Sequence, residues 1–280
     1  MRPSSLAVIG LGAIGGSLAW QARLAGVARV VGYSPSRAEM VEALKASAIT
    51  EMAETPARAL RGADLVVLAV PPRATIDLIG RLGPALESGT VLTDVCSVKQ
   101  AVMRRAAEAG LASRFAGGHP LAGTHDSGFG AARPDRLRGS VVYVTELPGG
   151  ETAARAVMGF WRDVLEAEPI LIDAEAHDRQ LAWTSHLPQA VASVLAHALA
   201  ARRLGGVSYG SGARDTTRLA ASSPEMWLDI LLLNQPALDQ ALEATSVALA
   251  ELRALLAAGD VGALERYLTA ARDFRRGLDR

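Results

Sequence analysis

The stretch LAVIGLGAIG at residues 6–15 decides the fold, because a short apolar run leads directly into a turn rich in glycine. A G-x-G-x-x-G turn that follows a strand and opens a helix is typical of a dinucleotide-binding βαβ unit. Gly10 permits the tight turn, Gly12 lets the backbone approach a pyrophosphate, and Gly15 lets helix and strand pack closely. The helix that opens at Ala13–Ile14 directs its N–H groups and positive dipole end at the phosphates. The alternative is a glycine-rich turn that binds no ligand.

Short β-rich runs alternate with helical patterns through the first part of the chain, which is typical of a parallel α/β sheet. Strands are predicted at Leu6–Ile9, Val30–Tyr33, Leu65–Val70 and Val91–Asp94, before Gly117, at Val141–Thr145 and near Pro169–Ile172. Beyond residue 173, Ala, Leu, Glu and Arg recur at helical spacing, and long helices are predicted at 175–202, 225–258 and 260–277. The sequence therefore predicts a Rossmann-type dinucleotide-binding α/β domain at residues 1–172. An all-α helical domain is predicted at residues 173–280.

Composition excludes several classes of protein. The 29 Lys and Arg residues balance 29 Asp and Glu residues, which argues against nucleic acid or an anionic membrane as a partner. One cysteine, Cys96, excludes an internal disulfide and an all-cysteine metal site. The five histidines lack the spacing of a metal motif, so no metal is expected. No apolar stretch approaches the roughly 20 residues of a membrane span, and we expect a cytoplasmic protein.

The end of the second strand indicates which nicotinamide cofactor is used. An NAD site usually places Asp or Glu there, on the ribose 2′-hydroxyl, whereas this chain has Ser34, followed by Arg37. A hydroxyl and a guanidinium suit a 2′-phosphate, which a carboxylate would repel. NADP is therefore favoured, with NAD as the alternative. The segment from Ser36 to Glu39 also fits a helix capping box, which explains Ser36 without a ligand.

Two further strands end in residues that are candidates for the cofactor site. Val70 and Pro71 end the strand that begins at Leu65, at the carboxyl edge where open sheets bind ligands. Pro71 is expected to shape the crevice, or alternatively only to start a helix. Asp94 ends the next strand, within the segment TDVCSVK at residues 93–99, and is also expected at the cofactor.

Histidines mark two segments that are hard to explain by structure alone. His119 lies in the polar loop GGHPLAGT at residues 117–124, surrounded by glycine and proline. His177-Asp178 and Ser185-His186-Leu-Pro188 interrupt an apolar helical pattern. A lone histidine is more often structural than catalytic, but the glycine-lined loop in the α/β part favours a functional role for His119.

These segments together resemble the prephenate/arogenate dehydrogenase family of tyrosine biosynthesis. The resemblance spans nearly the whole chain, at Gly10–Gly16, Asp94–Lys99, Gly118–Gly123, His177–Pro188 and Arg214–Trp227. It implies NAD(P)-dependent oxidation of a cyclohexadienol at its ring C4 hydroxyl, with loss of the ring carboxylate as CO2. The expected substrate is prephenate, giving 4-hydroxyphenylpyruvate, and the alternative is arogenate, giving tyrosine.

The resemblance also implies roles for individual residues. His119 occupies the position of the catalytic base, and Ser97 that of its partner on the same hydroxyl. Arg218 lies where the family binds a substrate carboxylate, a role suited to a bidentate guanidinium; the alternative is an ion pair with Asp215 or Asp229. Further expected substrate-binding residues are Thr124, His186, Gln189 and Trp227. His177 and Asp178 are interpreted as mainly structural.

Departures from the family pattern bear on the substrate. Gln189 replaces a frequent histidine, and His125 stands where many members carry glutamate. Loss of that carboxylate removes a partner for the arogenate ammonium group and favours prephenate. The family also implies a homodimer, consistent with the apolar run Ile230–Leu233.

Two other classes of protein remain as alternatives. A dehydrogenase of the β-hydroxyacid type would need a catalytic lysine in the helical half, and no lysine follows Lys99. A non-catalytic dinucleotide-binding protein would not need His119, Ser97 and Arg218.

Overall fold

The apolar run at the start of the chain forms β1 (Ser5–Ile9), which is buried along its whole length and pairs in parallel on both sides. A computed structural model describes residues 2–123, 126–202 and 208–278. In these residues β1 belongs to an eight-stranded sheet. The other strands are β2 (Arg29–Tyr33), β3 (Glu51–Met52), β4 (Leu65–Leu68), β5 (Val91–Asp94), β6 (Phe115–Pro120), β7 (Val141–Glu146) and β8 (Glu168–Leu171).

The strand order along the sheet is β3-β2-β1-β4-β5-β6-β7-β8. All pairings are parallel except that of β6 with β7, which is antiparallel. The order of successive strands changes direction between β1 and β4, and open α/β sheets bind ligands at the carboxyl ends of the strands at such a switch point. This confirms the predicted α/β sheet and places β1, β4, β5 and β6 side by side where the candidate residues end.

Helices connect the strands and make up all the regular structure beyond β8 in the described residues. They are α1 (Ala13–Leu24), α2 (Arg37–Lys45), α3 (Pro56–Ala59), α4 (Pro72–Leu82), α5 (Gln100–Glu108), α6 (Glu151–Asp163), α7 (Ala174–Leu181), α8 (Leu187–Ala201), α9 (Ser211–Thr217), α10 (Pro224–Leu233), α11 (Gln235–Ala258) and α12 (Val261–Gly277). The α/β part followed by a helical part confirms the predicted fold class.

Both faces of the sheet are covered, as the near-continuous apolar strands require. Successive side chains of a strand point to opposite faces. Leu6 and Val8 accordingly join one buried cluster, whereas Ala7 and Ile9 join the other. Burying a leucine or isoleucine side chain stabilises by about 1.5–3 kcal/mol, so a one-residue shift of β1 would be costly on both faces.

The predicted long helices are interrupted at two points. The helix expected at 175–202 contains a π-helical turn, Ala182–His186, between α7 and α8. The helix expected at 225–258 breaks at Asn234, between α10 and α11. Neither break was predicted, although Ser185 and His186 interrupt the apolar pattern at the first and Asn234 ends the apolar run at the second.

The chain divides into two compact units, residues 1–234 and 235–280. The second unit contains α11 and α12, linked by a hydrogen bond from the Tyr267 hydroxyl to the Ala248 carbonyl, 3.3 Å. Near the predicted boundary at residues 172/173 the strands end and the helices begin. That this boundary separates two independent domains stays a prediction. None of the helices in the described ranges is long and apolar enough to cross a membrane.

Candidate active site

The glycine turn between β1 and α1 has the geometry that its sequence predicts. Gly10 has φ +99°, a conformation that other residues rarely adopt, and its N–H donates to the Tyr33 carbonyl at 2.8 Å. A Cβ on Gly15 would lie 2.0 Å from the Gly10 carbonyl oxygen and 2.7 Å from Cβ of Ala69. The turn is therefore closed by contacts that only glycine allows at both positions.

Gly12 differs from Gly10 and Gly15 because the position that a side chain would occupy there is open space. A Cβ built on Gly12 would meet no atom of the described residues within 4 Å. Gly12 immediately precedes the first turn of α1, at Ala13 and Ile14, where backbone N–H groups lack partners within the helix. An open backbone surface at a helix N-terminus fits a dinucleotide pyrophosphate.

The end of β2 carries the residues expected to bind the ribose. Ser34 is buried, and its hydroxyl donates to Oε2 of Glu39 at 2.5 Å. Arg37 is exposed at the start of α2 and makes no ion pair with the described residues. A carboxylate therefore lies beside the position from which the sequence predicted a 2′-phosphate site.

Val70 and Pro71 lie between β4 and α4 at the carboxyl edge of the sheet. The Thr75 hydroxyl donates to the Val70 carbonyl at 3.1 Å, and Pro71 immediately precedes the first turn of α4. Next to them, Asp229 of α10 pairs with the Arg73 guanidinium at 2.8 Å. This ion pair ties α10 to the edge where the cofactor is expected.

Asp94 ends β5, and its carboxylate is fully buried. Oδ2 pairs with the buried Lys99 ammonium and accepts from the Cys96 N–H at 2.8 Å, and Oδ1 accepts from the Gly118 N–H at 3.2 Å. Lys99 also donates to the Gly118 carbonyl at 2.8 Å. Breaking a buried ion pair typically costs about 3–5 kcal/mol. The pair thus holds the end of β5 against β6, directly before His119.

Three buried side chains lie in a row at His119. Nδ1 of His119 is 2.9 Å from Nε2 of His177, and Nδ1 of His177 is 2.8 Å from Oδ1 of Asp178. His177 and Asp178 are fully buried, and His119 is 9% exposed. The pair that the sequence suggested to be mainly structural is therefore in contact with the expected catalytic residue.

The carboxylate of Asp178 also closes the N-terminus of α5. Oδ1 accepts from the Lys99 N–H at 2.8 Å, and Oδ2 accepts from the Gln100 N–H at 2.9 Å. The helix has no side-chain cap of its own at this end, and a carboxylate suits the positive end of its dipole. Asp178 therefore acts on this loop and on His177 as a hydrogen-bond acceptor.

The hydrogen-bond row fixes one tautomer for each ring. Because the Asp178 carboxylate accepts, Nδ1 of His177 carries the hydrogen. Burial lowers the pKa of His177 from 6.5, so the ring is neutral near pH 7 and its Nε2 accepts. Nδ1 of His119 must then donate to it. Burial, followed by repulsion from a protonated His177 and from Lys99, holds the pKa of His119 well below 6.5, which leaves the lone pair of a neutral ring on Nε2.

His186 lies in the π-helical turn, and Asn234 fixes its tautomer. Nδ2 of Asn234 donates to the Asp178 carbonyl at 2.8 Å and lies 3.0 Å from Nδ1 of His186. An amide NH2 group only donates, so Nδ1 of His186 accepts. Burial lowers the pKa of His186 to about 4, although the Asp178 charge opposes the shift. The neutral ring therefore carries its hydrogen on Nε2, an atom that is buried and makes no hydrogen bond with the described residues.

Trp227 and Gln189 each have one more buried polar atom without a hydrogen bond to the described residues. The Trp227 ring lies edge-on to the His186 ring, with centroids 6.0 Å apart. Nε1 of Trp227 and Oε1 of Gln189 are buried without a partner among the described residues. Gln189 also donates to the Leu219 carbonyl at 2.9 Å. Unpaired buried polar atoms are costly, so a cluster of them indicates groups that a polar ligand would satisfy.

Arg218 begins a 3₁₀ turn, Arg218–Ala221, that follows α9. Its side chain is exposed and makes no ion pair with the described residues. The bond between Gln189 and Leu219 holds this turn next to α8. Asp229, one of the two alternative partners, is paired with Arg73 instead.

Of the remaining residues expected at the site, the structure describes Ser97 but not Thr124. Ser97 lies half-buried in the loop between β5 and α5, and its backbone carbonyl is near the His186 ring. Its hydroxyl makes no hydrogen bond with the described residues. Thr124, and His125 beside it, lie outside the described residues. Within the described residues, no group of three His, Cys, Asp or Glu side chains is placed to hold a metal ion.

His177 and three further residues of the site were not assigned to it from the sequence. Asp178 directly follows a histidine inside an apolar pattern, and that unusual pair was the available signal. Asn234 ends the apolar run of α10, which indicates a helix end but not a contact with His186. Glu39 was assigned only to a capping box.

Two family models match the chain. A model described as the nucleotide-binding domain of prephenate dehydrogenase matches residues 18–166. A model described as the dimerization domain of prephenate dehydrogenase matches residues 173–270.

Individual relatives agree with these models. A prephenate dehydrogenase of Bacillus subtilis is 32% identical over 98% of this chain and 76% of its own length. A cyclohexadienyl dehydrogenase of Zymomonas mobilis is 35% identical over 72% of this chain and 71% of its own length. The crystal structure of prephenate dehydrogenase from A. aeolicus with hydroxyphenyl propionate and NAD+ superposes with a TM-score of 0.92, at 29% identity over 98% of both chains.

Alanine at Gly12 and at Gly15 should separate ligand binding from folding. Gly12→Ala places a methyl group in open space at φ −70°, so the free energy of unfolding should change by no more than about 0.5 kcal/mol. The methyl group would stand where a pyrophosphate approaches, so dinucleotide affinity should fall about tenfold or more. Gly15→Ala should lose about 1–3 kcal/mol of stability through overpacking.

Urea unfolding measures the stabilities, and titration of tryptophan fluorescence with NAD+ and NADP+ measures binding. Equal loss of stability in both variants, or normal binding by Gly12→Ala, would contradict this account of the turn.

Proposed function

This chain belongs to the prephenate dehydrogenase family, and from that membership and the site around His119 we propose that it oxidises prephenate to 4-hydroxyphenylpyruvate and CO2. It is an oxidoreductase that depends on a nicotinamide dinucleotide. The observation that carries the proposal is the buried row of His119, His177 and Asp178, which presents a neutral imidazole nitrogen as a base.

His119 takes the proton of the substrate hydroxyl in this mechanism. Its Nε2 lone pair is available because Nδ1 is committed to His177. The bound nicotinamide supplies the two-electron acceptor for the carbon that bears the hydroxyl. Loss of the ring carboxylate as CO2 then leaves an aromatic phenol. General-base catalysis by a positioned histidine typically contributes 10²–10⁴ in rate.

His177 is a positioning residue in this proposal. It accepts from Nδ1 of His119 and so keeps the lone pair of the base on Nε2. The Asp178 carboxylate accepts from Nδ1 of His177 and so keeps the lone pair of His177 on Nε2. A proton accepted by His119 is also stabilised by the row, since the carboxylate of Asp178 lies at its end.

The residues expected to bind substrate carry hydrogen-bond donors, which suit a substrate with carboxylates. Prephenate has two carboxylates, of which one leaves as CO2. Nε2 of His186 and Nε1 of Trp227 are buried donors without partners among the described residues, and Arg218 offers an exposed guanidinium. We assign these three residues to the substrate, with Ser97 beside the hydroxyl and Thr124 and Gln189 at the side chain.

Prephenate is proposed over arogenate because His125 replaces a carboxylate that would pair with the arogenate ammonium group. Solved relatives include an arogenate dehydrogenase of Synechocystis, with a TM-score of 0.82 and 28% identity over 98% of this chain and 99% of that one. Arogenate is therefore the second candidate substrate. The cytoplasmic location expected from the sequence stays a prediction.

A lysine-dependent mechanism of the β-hydroxyacid type finds no support in the site. Lys99 is fully buried, pairs with Asp94 and donates to the Gly118 carbonyl. Its ammonium is thus committed to the protein, and no lysine follows it in the chain.

The reaction itself is tested by mixing the purified protein with prephenate or arogenate and NAD+ or NADP+. We expect prephenate to give the reduced nicotinamide and CO2, which are measured by ultraviolet absorbance and by CO2 release.

His119→Ala should lower kcat by about 10²–10⁴, whereas His197→Ala, which removes an exposed histidine of α8, should not. The base must be neutral and its pKa lies well below 6.5, so kcat/KM should decline only as the pH falls below 6.5.

No turnover with either substrate would contradict the proposed function, and faster turnover of arogenate would contradict the substrate choice. Near-normal turnover by His119→Ala, or an acid decline centred above pH 6.5, would contradict the role of His119.

The positioning role of His177 is tested by two substitutions. His177→Ala removes the acceptor for Nδ1 of His119, so kcat should fall about 10- to 100-fold while KM changes little. His177→Gln should restore part of kcat, because the amide oxygen reaches about as far as Nε2 and also accepts. Steady-state kinetics with both variants, after circular dichroism has established that they fold, measures the effect. Equal kcat in the alanine and glutamine variants would contradict the role.

We also propose that the chain forms a homodimer through its helical part. The family model matching residues 173–270 is described as a dimerization domain. The helices α11 and α12 carry exposed apolar side chains, at Val247, Leu249, Leu256, Leu268 and Phe274, and exposed apolar patches mark interaction surfaces. Light scattering should give twice the 29.2 kDa of the chain. A mass of one chain at micromolar concentration would contradict the dimer.

A further inference from the structure

The Ser34 hydroxyl, from which the sequence favours NADP, is already committed to a carboxylate. It donates to Oε2 of Glu39 at 2.5 Å and accepts from the Ser36 N–H at 3.1 Å. A hydroxyl has one hydrogen to donate, and here Glu39 receives it. The hydroxyl therefore has none left for a 2′-phosphate oxygen.

The capping box explains only half of the geometry of Glu39. Its N–H donates to the Ser36 hydroxyl at 3.4 Å, as a capping box requires. In a complete capping box the glutamate side chain returns to the N–H of the capping residue. Here the Ser36 N–H donates to Ser34 instead. The Glu39 carboxylate is directed to the end of β2 and not to its own helix terminus.

This carboxylate lies beside the glycine turn. The Gly10 N–H donates to the carbonyl of Tyr33, the residue before Ser34, at 2.8 Å. The end of β2 therefore directly adjoins the turn that faces the pyrophosphate. On the other side, a Cβ on Gly128 would lie 3.5 Å from Oε1 of Glu39. Oε1 therefore faces the space beside Gly128 and makes no hydrogen bond with the described residues.

We propose that Glu39, held by Ser34, accepts a hydrogen bond from the adenosine ribose 2′-hydroxyl and makes the chain prefer NAD to NADP. This inference rests on the proposed function, which supplies the dinucleotide. The carboxylate that NAD sites place on the residue ending β2 comes here from the first turn of α2. A 2′-phosphate at this point would meet a like charge at close range, and within the described residues the Arg37 guanidinium has no hydrogen bond or ion pair that would hold it there.

Direct binding tests the inference without substrate or turnover. Isothermal titration of the wild-type chain should give an NAD+ affinity about tenfold or more above that for NADP+. Glu39→Gln keeps the shape and removes the charge, so it should weaken NAD+ binding, strengthen NADP+ binding and bring the ratio close to one. Glu42→Gln, one turn further along α2 on its exposed side, is the matched control and should leave the ratio unchanged.

Three results would overturn the inference: tighter binding of NADP+ by the wild-type chain, an unchanged ratio in Glu39→Gln, or a selective loss of NADP+ affinity in Arg37→Ala. In each case the chain still binds a dinucleotide, so the proposed function would stand. Binding of neither nucleotide would overturn the proposed function together with this inference.

Discussion

The buried carboxylate of Asp178 is the group on which the rest of the site depends. It accepts two backbone N–H bonds at the start of α5 and one from His177, while its own carbonyl accepts from Asn234. A buried carboxylate must have its acceptor positions filled, or it costs several kcal/mol. Satisfying the carboxylate therefore brings α5 and α7 together at His119, and the backbone carbonyl of Asp178 adds the end of α10.

Both histidines that are expected to touch substrate obtain their tautomers from this arrangement. His119 is constrained through His177, and His186 through Asn234, so one ring presents a lone pair and the other an N–H. Burial keeps the pKa values of both rings below 6.5. A neutral base and a neutral donor can therefore lie close together without mutual repulsion. The ion pair of Asp94 and Lys99 has a different task, which is to hold β5 against β6.

The sequence predicted the sheet well because its signals are local. Each strand is a short β-rich run, and the turn at Gly10 and Gly15 needs glycine for reasons of backbone geometry alone. The π-helical turn at Ala182–His186 and the break at Asn234 were missed, because polar residues at these points do not by themselves specify how a helix is interrupted. Those irregularities depend on partners far along the chain, such as the contact of Asn234 with Asp178, 56 positions away.

The sequence by itself determined the α/β sheet and the dinucleotide turn, since each follows from residue type and short spacing, and its resemblance to the family implied His119 as the candidate base. Only the tertiary structure decided which groups surround that base and which charge lies at the end of β2. No site role was assigned to His177, Asp178, Asn234 or Glu39 from the sequence. Their roles arise from hydrogen bonds that form when distant segments meet in a buried environment, where each donor needs an acceptor and each ring is held to one tautomer.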